Sequence, residues 1–517
     1  MVLQKGVEAT REELGGELGL SEQNSARHVG KVVAKFGLRP SIPLSHHTLT
    51  VDADTFTLPY LAPKDVLSYL LNNHSDLLLG GYAASDPAAN RGLAMFWGRY
   101  RNVHSSHAVY GAPCERLRWT IPLSLHGDGG RTQKKQLEPV LQTGQCCNGK
   151  HHSYLTRFLL AAFPSKQWPQ ELLPDLSRAL SSQLRELFEN GLAHVVNGRQ
   201  CRYYFAIIGL KGDFEFHCKS LRDAGLKRSY EHVGRAKDIA VCMECEAGLP
   251  DSVARNFLAS TILLLCNLGA FDLQGESKSV DNRLVRAWRQ FQLFLETSSL
   301  HVGGLKSFSK KKMHFASGKA FPWLGCKGAD TVVLFKWLRV LLVQLRSRGC
   351  AVVTGHDFAS CRACTFIERA VTGGLQFTQG IHGHSLWLAP TCSRFLRQGI
   401  YDFLRGYSQL AQYCMIRKMP LFGITPKYHA LCHFKHDLEM SFVQNQATIN
   451  PAAFDCSMSE DFIGRVARQS RRIGFKRNLF EKHLLQHYLL KFSFVLRKNW
   501  KDIHDGRGRK RKAGGRR

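Results

Sequence analysis

The chain has 517 residues, of which 44% are hydrophobic, so it is long enough for two or three structural units with buried cores. Its 71 Lys and Arg against 41 Asp and Glu give a net charge of +30, which favours a polyanionic partner, with DNA or RNA ahead of an acidic membrane surface. Its 16 cysteines are scattered along a long chain, which argues against a small disulfide-stapled secreted domain and favours reduced thiols.

Neither a signal peptide nor a membrane span is evident in the sequence. The opening residues, MVLQKGVEATREELG, lack the apolar core of a signal peptide. The longest apolar run, FLASTILLLC (residues 257–266), is too short to cross a bilayer. We therefore expect an intracellular, soluble protein with no membrane partner.

Residues 1–115 are predicted to form an N-terminal mixed region. LSEQNSARHVGKVVAKFGL has helical spacing, and APKDVLSYLL is typical of a helix entered through a proline. These helices either pack within the region or form a small DNA-reading unit.

Residues 116–250 change to an α/β pattern with an acid beside each of two predicted strands. WTIPLSLHGDGG (residues 119–130) alternates like a half-buried strand that ends at Asp128 among glycines. Apolar HHSYLTRFLLAAF and amphipathic LSRALSSQLRELFENGLAHVV then predict helices. The strand YYFAIIGL (residues 203–210) follows, with Asp213 just past its end. If these strands are neighbours in one sheet, the two carboxylates can come together.

The remainder is predicted to be mainly helical. Residues 251–425 form a helical segment with basic loops such as SKKKMH, residues 426–475 contain a helix opened by Glu460 and Asp461, and residues 476–517 form a basic helix and tail. From Gly464 onward there are 18 Lys and Arg against 3 Asp and Glu, half of the whole excess charge. The final GRGRKRKAGGRR indicates a nuclear import signal, a phosphate-binding arm or a solubilising end.

Three acids are candidates for metal chemistry. Asp128, Asp213 and Glu460 stand at two strand ends and a helix start. Carboxylates at such positions can hold two divalent ions, Mg²⁺ or Mn²⁺, for phosphoryl transfer. The alternative is that they are ordinary loop residues among 41 acids.

Cysteine and histidine groups offer a second kind of metal site. Two CxxC pairs, VCMEC with Cys242 and Cys245 and SCRAC with Cys361 and Cys364, have the spacing of zinc ligands. They lie 116 residues apart, so sharing one ion would depend on the fold. A further set, HALCHFKH, is predicted to lie near one face of a helix, either binding metal or serving as polar packing or nucleic-acid-facing residues; its members are His429, His433 and His436. No GxxxxGK[ST], HExxH or GxSxG motif is present, which disfavours nucleotide hydrolysis, zinc proteolysis and serine hydrolase chemistry.

The order of these motifs resembles a known family. HGDGG after a strand, a later strand followed by KGDFEF, and CMEC about thirty residues on are similar to the DDE transposases of the CACTA (En/Spm) kind and the related Kyakuja-Dileera-Zisupton group. PKYHALCHFKHDLE followed by MSEDFIGRV resembles the family's PK-x-H stretch, which leads to an acid opening a basic helix. The resemblance covers residues 116–475.

The resemblance implies an RNase H-like mixed sheet with flanking helices and a large helical insertion between the second and third acids. It makes Asp128, Asp213 and Glu460 the catalytic acids, with Asp461 as the rival third acid. It also implies magnesium- or manganese-dependent cutting of DNA and attack of the freed 3′-hydroxyl on target DNA, in a protein of the nucleus that can act as a homo-oligomer on DNA. Expected phosphate contacts lie in the basic block; they are Arg465, Arg468, Arg471, Arg472, Lys476 and Arg477.

Two other interpretations stay open at this point. One is a catalytically inactive, transposon-derived nucleic-acid-binding protein, which needs the same positive charge. The other is a zinc-stapled RNA-binding module, which would use the CxxC pairs and aromatic stacking.

Overall fold

A computed structural model describes residues 39–131, 140–147, 153–164, 167–212, 250–315, 320–326, 328–347, 357–454, 457–473 and 479–504. The chain divides into two compact units. The first is drawn from Met1–Trp97, Ser106–Ile239 and Ser457–Arg517, and the second from Gly98–Ser105 and Ala240–Cys456. The sequence-based division places a boundary after residue 425, whereas the second unit here continues to Cys456.

The first unit opens with an antiparallel hairpin followed by helices. The elements are β1 (Ser45–Val51), β2 (Asp54–Tyr60), α1 (Pro63–Asn73), α2 (Ser75–Leu78), α3 (Pro87–Val103) and α4 (Cys114–Leu117). Pro63 occupies the first position of α1, where its missing N–H costs no hydrogen bond, as the sequence predicts.

A five-stranded mixed sheet is the centre of the first unit. Its elements, with two intervening helices, are β3 (Thr120–Arg131), β4 (Val140–Cys147), α5 (Ser153–Thr156), β5 (Arg157–Pro164), α6 (Leu172–Glu189), β6 (Leu192–Val196) and β7 (Arg199–Gly212). The strand order is β5-β4-β3-β7-β6. β3 pairs in parallel with β7, and all other neighbours are antiparallel.

The predicted helix over HHSYLTRFLLAAF is wrong. Only α5 is helical there, and RFLLAAFP forms β5, in which all eight residues are buried. A strand that is covered on both faces shows a continuous apolar run rather than alternation. Periodicity alone cannot distinguish such a run from a buried helix.

The predicted amphipathic helix that follows is correct except at its end. α6 stops at Glu189, and LAHVV forms β6. The chain turns at Gly191, whose φ of +62° is a conformation that glycine adopts readily. A Cβ at this position would lie 2.5 Å from the carbonyl oxygen of Tyr203, so a larger residue would not fit.

The second unit is mainly helical, as the sequence predicts. Its described elements are α7 (Pro250–Asn267), α8 (Val280–Ser298), α9 (Gly328–Ser347), α10 (Arg362–Gly383), β8 (Trp387–Leu388), α11 (Pro390–Ile416), α12 (Pro426–Val443) and β9 (Thr448–Ile449). Their apolar faces share one core. At its centre Phe257 stacks on Phe335, with ring centroids 5.5 Å apart, and both rings are essentially excluded from solvent.

Two C-terminal helices return to the first unit: α13 (Ser457–Ser470) and α14 (Phe480–His504). α13 packs against β3, and α14 packs against β5 and β2. One face of α14 is buried in the core of this unit; its members are Phe480, Leu484, Leu485, Tyr488, Leu489, Phe492 and Leu496. These aromatic and aliphatic residues between the basic residues therefore form a packing face.

The described helices include none that is long and apolar enough to span a membrane.

Candidate functional site

The two strands that lead to the first predicted acids are neighbours. β3 and β7 run parallel in the middle of the sheet, and their last paired residues are Gly127 and Gly212. Asp128 follows Gly127 directly, and Asp213 follows Gly212. Asp213 lies outside the described residues. The sequence analysis expects the two acids to come together only if their strands are neighbours in one sheet. β3 and β7 are neighbours.

β3 does not end at Asp128, so this part of the prediction is wrong. The strand continues to Arg131 because β4 extends the antiparallel ladder, with Asp128 opposite Thr143. What ends at Gly127 is the parallel pairing with β7. A hairpin partner supplies hydrogen bonds where the parallel partner stops, and glycine spacing in the sequence does not reveal that partner.

Buried side chains fix the β3–β7 pair from one side. The indole N–H of Trp97 donates to the carbonyl oxygen of Thr120 at 2.8 Å. The His107 Nδ1 accepts from the backbone N–H of Val109, so its Nε2 carries the proton and donates to the carbonyl oxygen of Ile207 at 3.1 Å. A register shift follows at once, between Leu123 and Ser124 of β3. Such irregularities re-aim the residues that come after them.

The third predicted acids lie on α13, which packs on the same strand as Asp128. Glu460 and Asp461 are in the first turn of this helix. The Asp461 Oδ2 accepts hydrogen bonds from the Arg465 Nε at 2.7 Å and from the Ser153 hydroxyl at 3.1 Å. Asp461 is therefore tied to its own helix and to α5.

An arginine that sequence reasoning missed lies under the start of α13. Arg157 is 4% exposed, and its Nε donates to the Ser459 hydroxyl at 3.5 Å while its Nη1 donates to the Thr156 hydroxyl at 2.6 Å. The signal was present, because Arg157 is the only charged residue in the apolar run that forms β5. A buried cation at the first turn of α13 favours an anionic group at that position.

Buried His126 was also missed. It lies two positions before Asp128 in β3 and is 2% exposed. Alternate residues of a strand share one face of the sheet, so positions 126 and 128 belong to the same face.

The predicted phosphate-binding residues have different surroundings. Arg465 is committed to the ion pair with Asp461, whereas Arg468, Arg471 and Arg472 are exposed. Lys476 and Arg477 lie outside the described residues. Burial raises the pKa of Tyr154 to about 12, and the nearby Arg465 and Arg468 oppose that rise.

The predicted zinc pairs differ in what the structure describes. Cys242 and Cys245 lie outside the described residues. Cys361 is the N-cap residue of α10, and a hydrogen bond with Cys361 together with burial raises the pKa of the Cys364 thiol. Among the described side chains, no group of three or more His, Cys, Asp or Glu is arranged to hold a metal ion.

Two of the three predicted histidines of α12 contact each other. His429 and His433 contact each other, with 3.0 Å between their Nε2 atoms. His436 lies on the same helix and is exposed. This arrangement fits polar packing better than a three-histidine metal site.

No protein-family model matches this chain, and a search of curated proteins finds no similar sequence.

Proposed function

We propose that this protein is a DDE-type DNA transposase, or a nuclease derived from one, that performs two-metal phosphoryl transfer on DNA. The observation that carries the proposal is the parallel register of β3 and β7, whose last pair is Gly127 and Gly212. The two residues that follow this pair in the sequence are Asp128 and Asp213. Unrelated loop acids would have no reason to follow the same rung of one ladder.

The sheet topology supports an RNase H-like core for the first unit. The antiparallel run β3-β4-β5 is followed by helix α6 and then by β7, which pairs in parallel with β3. The edge strand β6 departs from the resemblance. The resemblance places the second acid after the fourth strand, whereas β6 makes Asp213 follow the fifth strand of this sheet. β6 joins β7 by a tight turn at Asn197 and Gly198, which makes it an addition to the edge rather than a change in the centre.

Glu460 is the better candidate for the third acid. Consecutive positions of a helix point about 100° apart, so Glu460 and Asp461 cannot both serve one site on β3. Asp461 already accepts hydrogen bonds from Arg465 and Ser153. We assign Asp461 to holding α13 in place and Glu460 to the metal site.

The residue types fit Mg²⁺ or Mn²⁺, because carboxylate oxygens are the ligands that hard divalent cations prefer. Asp128, Asp213 and Glu460 would hold the ions, which supply activation of the attacking oxygen and stabilisation of the leaving oxygen. The protein's own contribution is positioning: two strands in register, and helix α13, which packs on β3 and is tied to α5 through Ser153. Zinc at Cys242 and Cys245 would be a separate, structural ion.

DNA is the proposed partner, bound on an oligomer of this chain in the nucleus. Exposed Arg468, Arg471 and Arg472 follow the acids along α13 and just beyond it, so positive charge lies on the surface close to the proposed cutting site. Neutralising phosphates releases counterions, so binding should weaken steeply as salt is added.

The test is nicking of supercoiled DNA by the purified protein in Mg²⁺ or Mn²⁺. We expect nicking that is lost in Asp128→Asn, Asp213→Asn and Glu460→Gln, and retained in Asp461→Asn with some loss of thermal stability. Glu296→Gln, an exposed acid on α8, is the matched control and should cut like the unaltered protein. Equal cutting by all variants would reveal a contaminating nuclease, and DNA binding with no cutting would favour the inactive, transposon-derived binding protein.

A further inference from the structure

A basic turn with an aromatic stack stands out on the second unit. We call it the lysine turn: residues 309–315 (SKKKMHF) together with the facing segment 320–326 (AFPWLGC). The two segments are joined by backbone hydrogen bonds from the Trp323 N–H to the carbonyl oxygen of Met313 at 3.1 Å and from the Gly325 N–H to that of Lys312 at 2.9 Å. Neither segment belongs to the predicted catalytic core.

The lysine turn carries a flat aromatic stack at the surface. The rings of His314 and Trp323 are nearly parallel, with an interplanar angle of 6° and centroids 3.6 Å apart. Trp323 nevertheless remains 41% exposed, and nearby Phe321 is 55% exposed. The stack therefore leaves exposed aromatic surface on which a planar group can lie.

The segments that carry the stack are anchored in the core of the second unit, and part of their backbone is strained. His314 has a φ of 48°, a left-handed conformation that non-glycine residues adopt at a cost of about 1 kcal/mol or more. The residues on either side anchor it, because Met313 and Leu324 are fully buried in the core of the second unit. Strain of this kind persists where the surrounding structure enforces it, and it concentrates at functional sites.

The charge around the stack is positive. Lys306, Lys311 and Lys312 are exposed, and no carboxylate of the described residues forms an ion pair with Lys311 or Lys312. Lys310 is different, since its ammonium contacts Asp281 at 2.9 Å. The turn therefore offers the ammonium groups of Lys311 and Lys312, on the segment that is hydrogen-bonded to the one carrying Trp323.

We propose that the lysine turn binds single-stranded DNA, with phosphates on Lys311 and Lys312 and one base stacked on Trp323. Proteins bind single-stranded nucleic acids through two elements: basic side chains that contact the phosphate backbone, and aromatic rings on which bases stack. A duplex would supply the phosphates but would keep its bases inside, away from the indole. This site does not rest on the proposed catalysis, because it uses residues of the other unit.

The test measures binding of a fluorescein-labelled oligothymidine of about 15 nucleotides to the full chain in EDTA, where no metal-dependent cutting occurs. We expect Trp323→Ala to weaken binding about tenfold, while Trp323→Phe, which keeps a ring, stays close to the unaltered protein. Lys311→Gln with Lys312→Gln should also weaken binding and lower the salt slope by about 1.4. The matched control is Arg339→Gln with Arg362→Gln, which removes two exposed charges from α9 and α10 and should change binding little.

A local readout separates this site from the basic C-terminal region. An oligothymidine carrying one 5-iodouracil, crosslinked by light to the full chain, should attach within residues 309–326. Unchanged binding by Trp323→Ala, crosslinks confined to residues beyond 457, or a loss of duplex DNA or RNA binding in Trp323→Ala as large as its loss of oligothymidine binding would each overturn the proposal. Loss of nicking in the acid variants would leave these results unaffected.

Discussion

Asp272 is held by a two-pronged ion pair inside the second unit. Its two carboxylate oxygens accept from the Nε and Nη2 of Arg283 at 2.6 and 2.7 Å, and its side chain is only 7% exposed. The hydrogen bond from Arg283 holds the pKa of Asp272 below its usual value, although burial opposes this. This ion pair fixes the loop between α7 and α8.

We expect Asp272→Asn to destabilise the protein by about 3 kcal/mol, because Arg283 would stay buried without its partner. An acid whose folded pKa is lowered stabilises the fold above its unfolded pKa, and that stability is lost as the pH falls through the folded value. The difference in free energy of unfolding between the unaltered protein and Asp272→Asn should therefore be largest at neutral pH and should shrink below about pH 4. Urea denaturation followed by far-UV circular dichroism at several pH values measures both effects.

Asp281→Asn is the control for this prediction. This substitution also breaks an ion pair, the one between Asp281 and Lys310, but the Asp281 side chain is 63% exposed. Exposed ion pairs contribute little to stability. Equal destabilisation by both substitutions would contradict the role assigned to burial of the Asp272–Arg283 pair.

At the scale of elements, α10 and α11 lie unusually close. Gly373 of α10 faces Gly399 of α11, and a Cβ on Gly373 would lie 2.5 Å from the Gly399 carbonyl oxygen and 2.6 Å from the Phe403 nitrogen. Both of these are backbone atoms, so a rotamer change cannot make room. The glycines are what let the two backbones touch.

Gly373→Ala should therefore destabilise the second unit by about 2 kcal/mol, since the helices must separate to admit the methyl group. Gly383→Ala, at the last residue of α10, is the matched substitution, and there nothing lies within 4 Å of the added carbon. It should leave stability unchanged or raise it by up to about 1 kcal/mol, as alanine favours helices over glycine. Chemical denaturation measures the free energy of unfolding of both variants. A similar loss of stability in the two would rule out the steric explanation.

Elements were predictable from the sequence where one face is buried and the other exposed. The alternation of β3 and the spacing of α6 predict these elements, and the proline predicts the start of α1. β5 was missed because it is buried on both faces. The sequence does not predict the parallel register of β3 and β7, because strand pairing depends on the whole sheet and not on either strand alone.

At the candidate site the sequence supplies residue types and order but not partners. It names Glu460 as the third acid with Asp461 as a rival, and under the proposed function the hydrogen bonds of Asp461 with Arg465 and Ser153 favour Glu460. Ser153 is 308 residues away in the chain, so no local pattern could have indicated it.

At the scale of the whole molecule, the positive charge is concentrated at the C-terminal end. Residues 506–517 contain seven Lys and Arg and no acid. The buried face of α14 lies before this tail, so the tail is not needed for that packing.

Deleting residues 506–517 should leave the thermal unfolding midpoint unchanged and weaken binding to duplex DNA. The salt dependence of binding should become shallower, by about 0.9 in the log–log slope for each phosphate that the tail no longer neutralises. Titrations at several salt concentrations with the complete and shortened chains test this. An unchanged slope would mean that the tail is a solubilising end or a transport signal only.

The first unit is assembled from distant parts of the chain, and this has a consequence during synthesis. α14 covers β5, yet 267 residues separate Gly212, the end of β7, from Phe480, the start of α14. At roughly 5–20 residues per second, a ribosome needs on the order of 13 to 50 seconds to make them. During that time the helical unit can complete its own core, while the nascent sheet waits with the apolar surface of β5 open to water. We expect chaperones to bind the growing chain at this stage, because the sheet unit can complete its core only after α14 has been made.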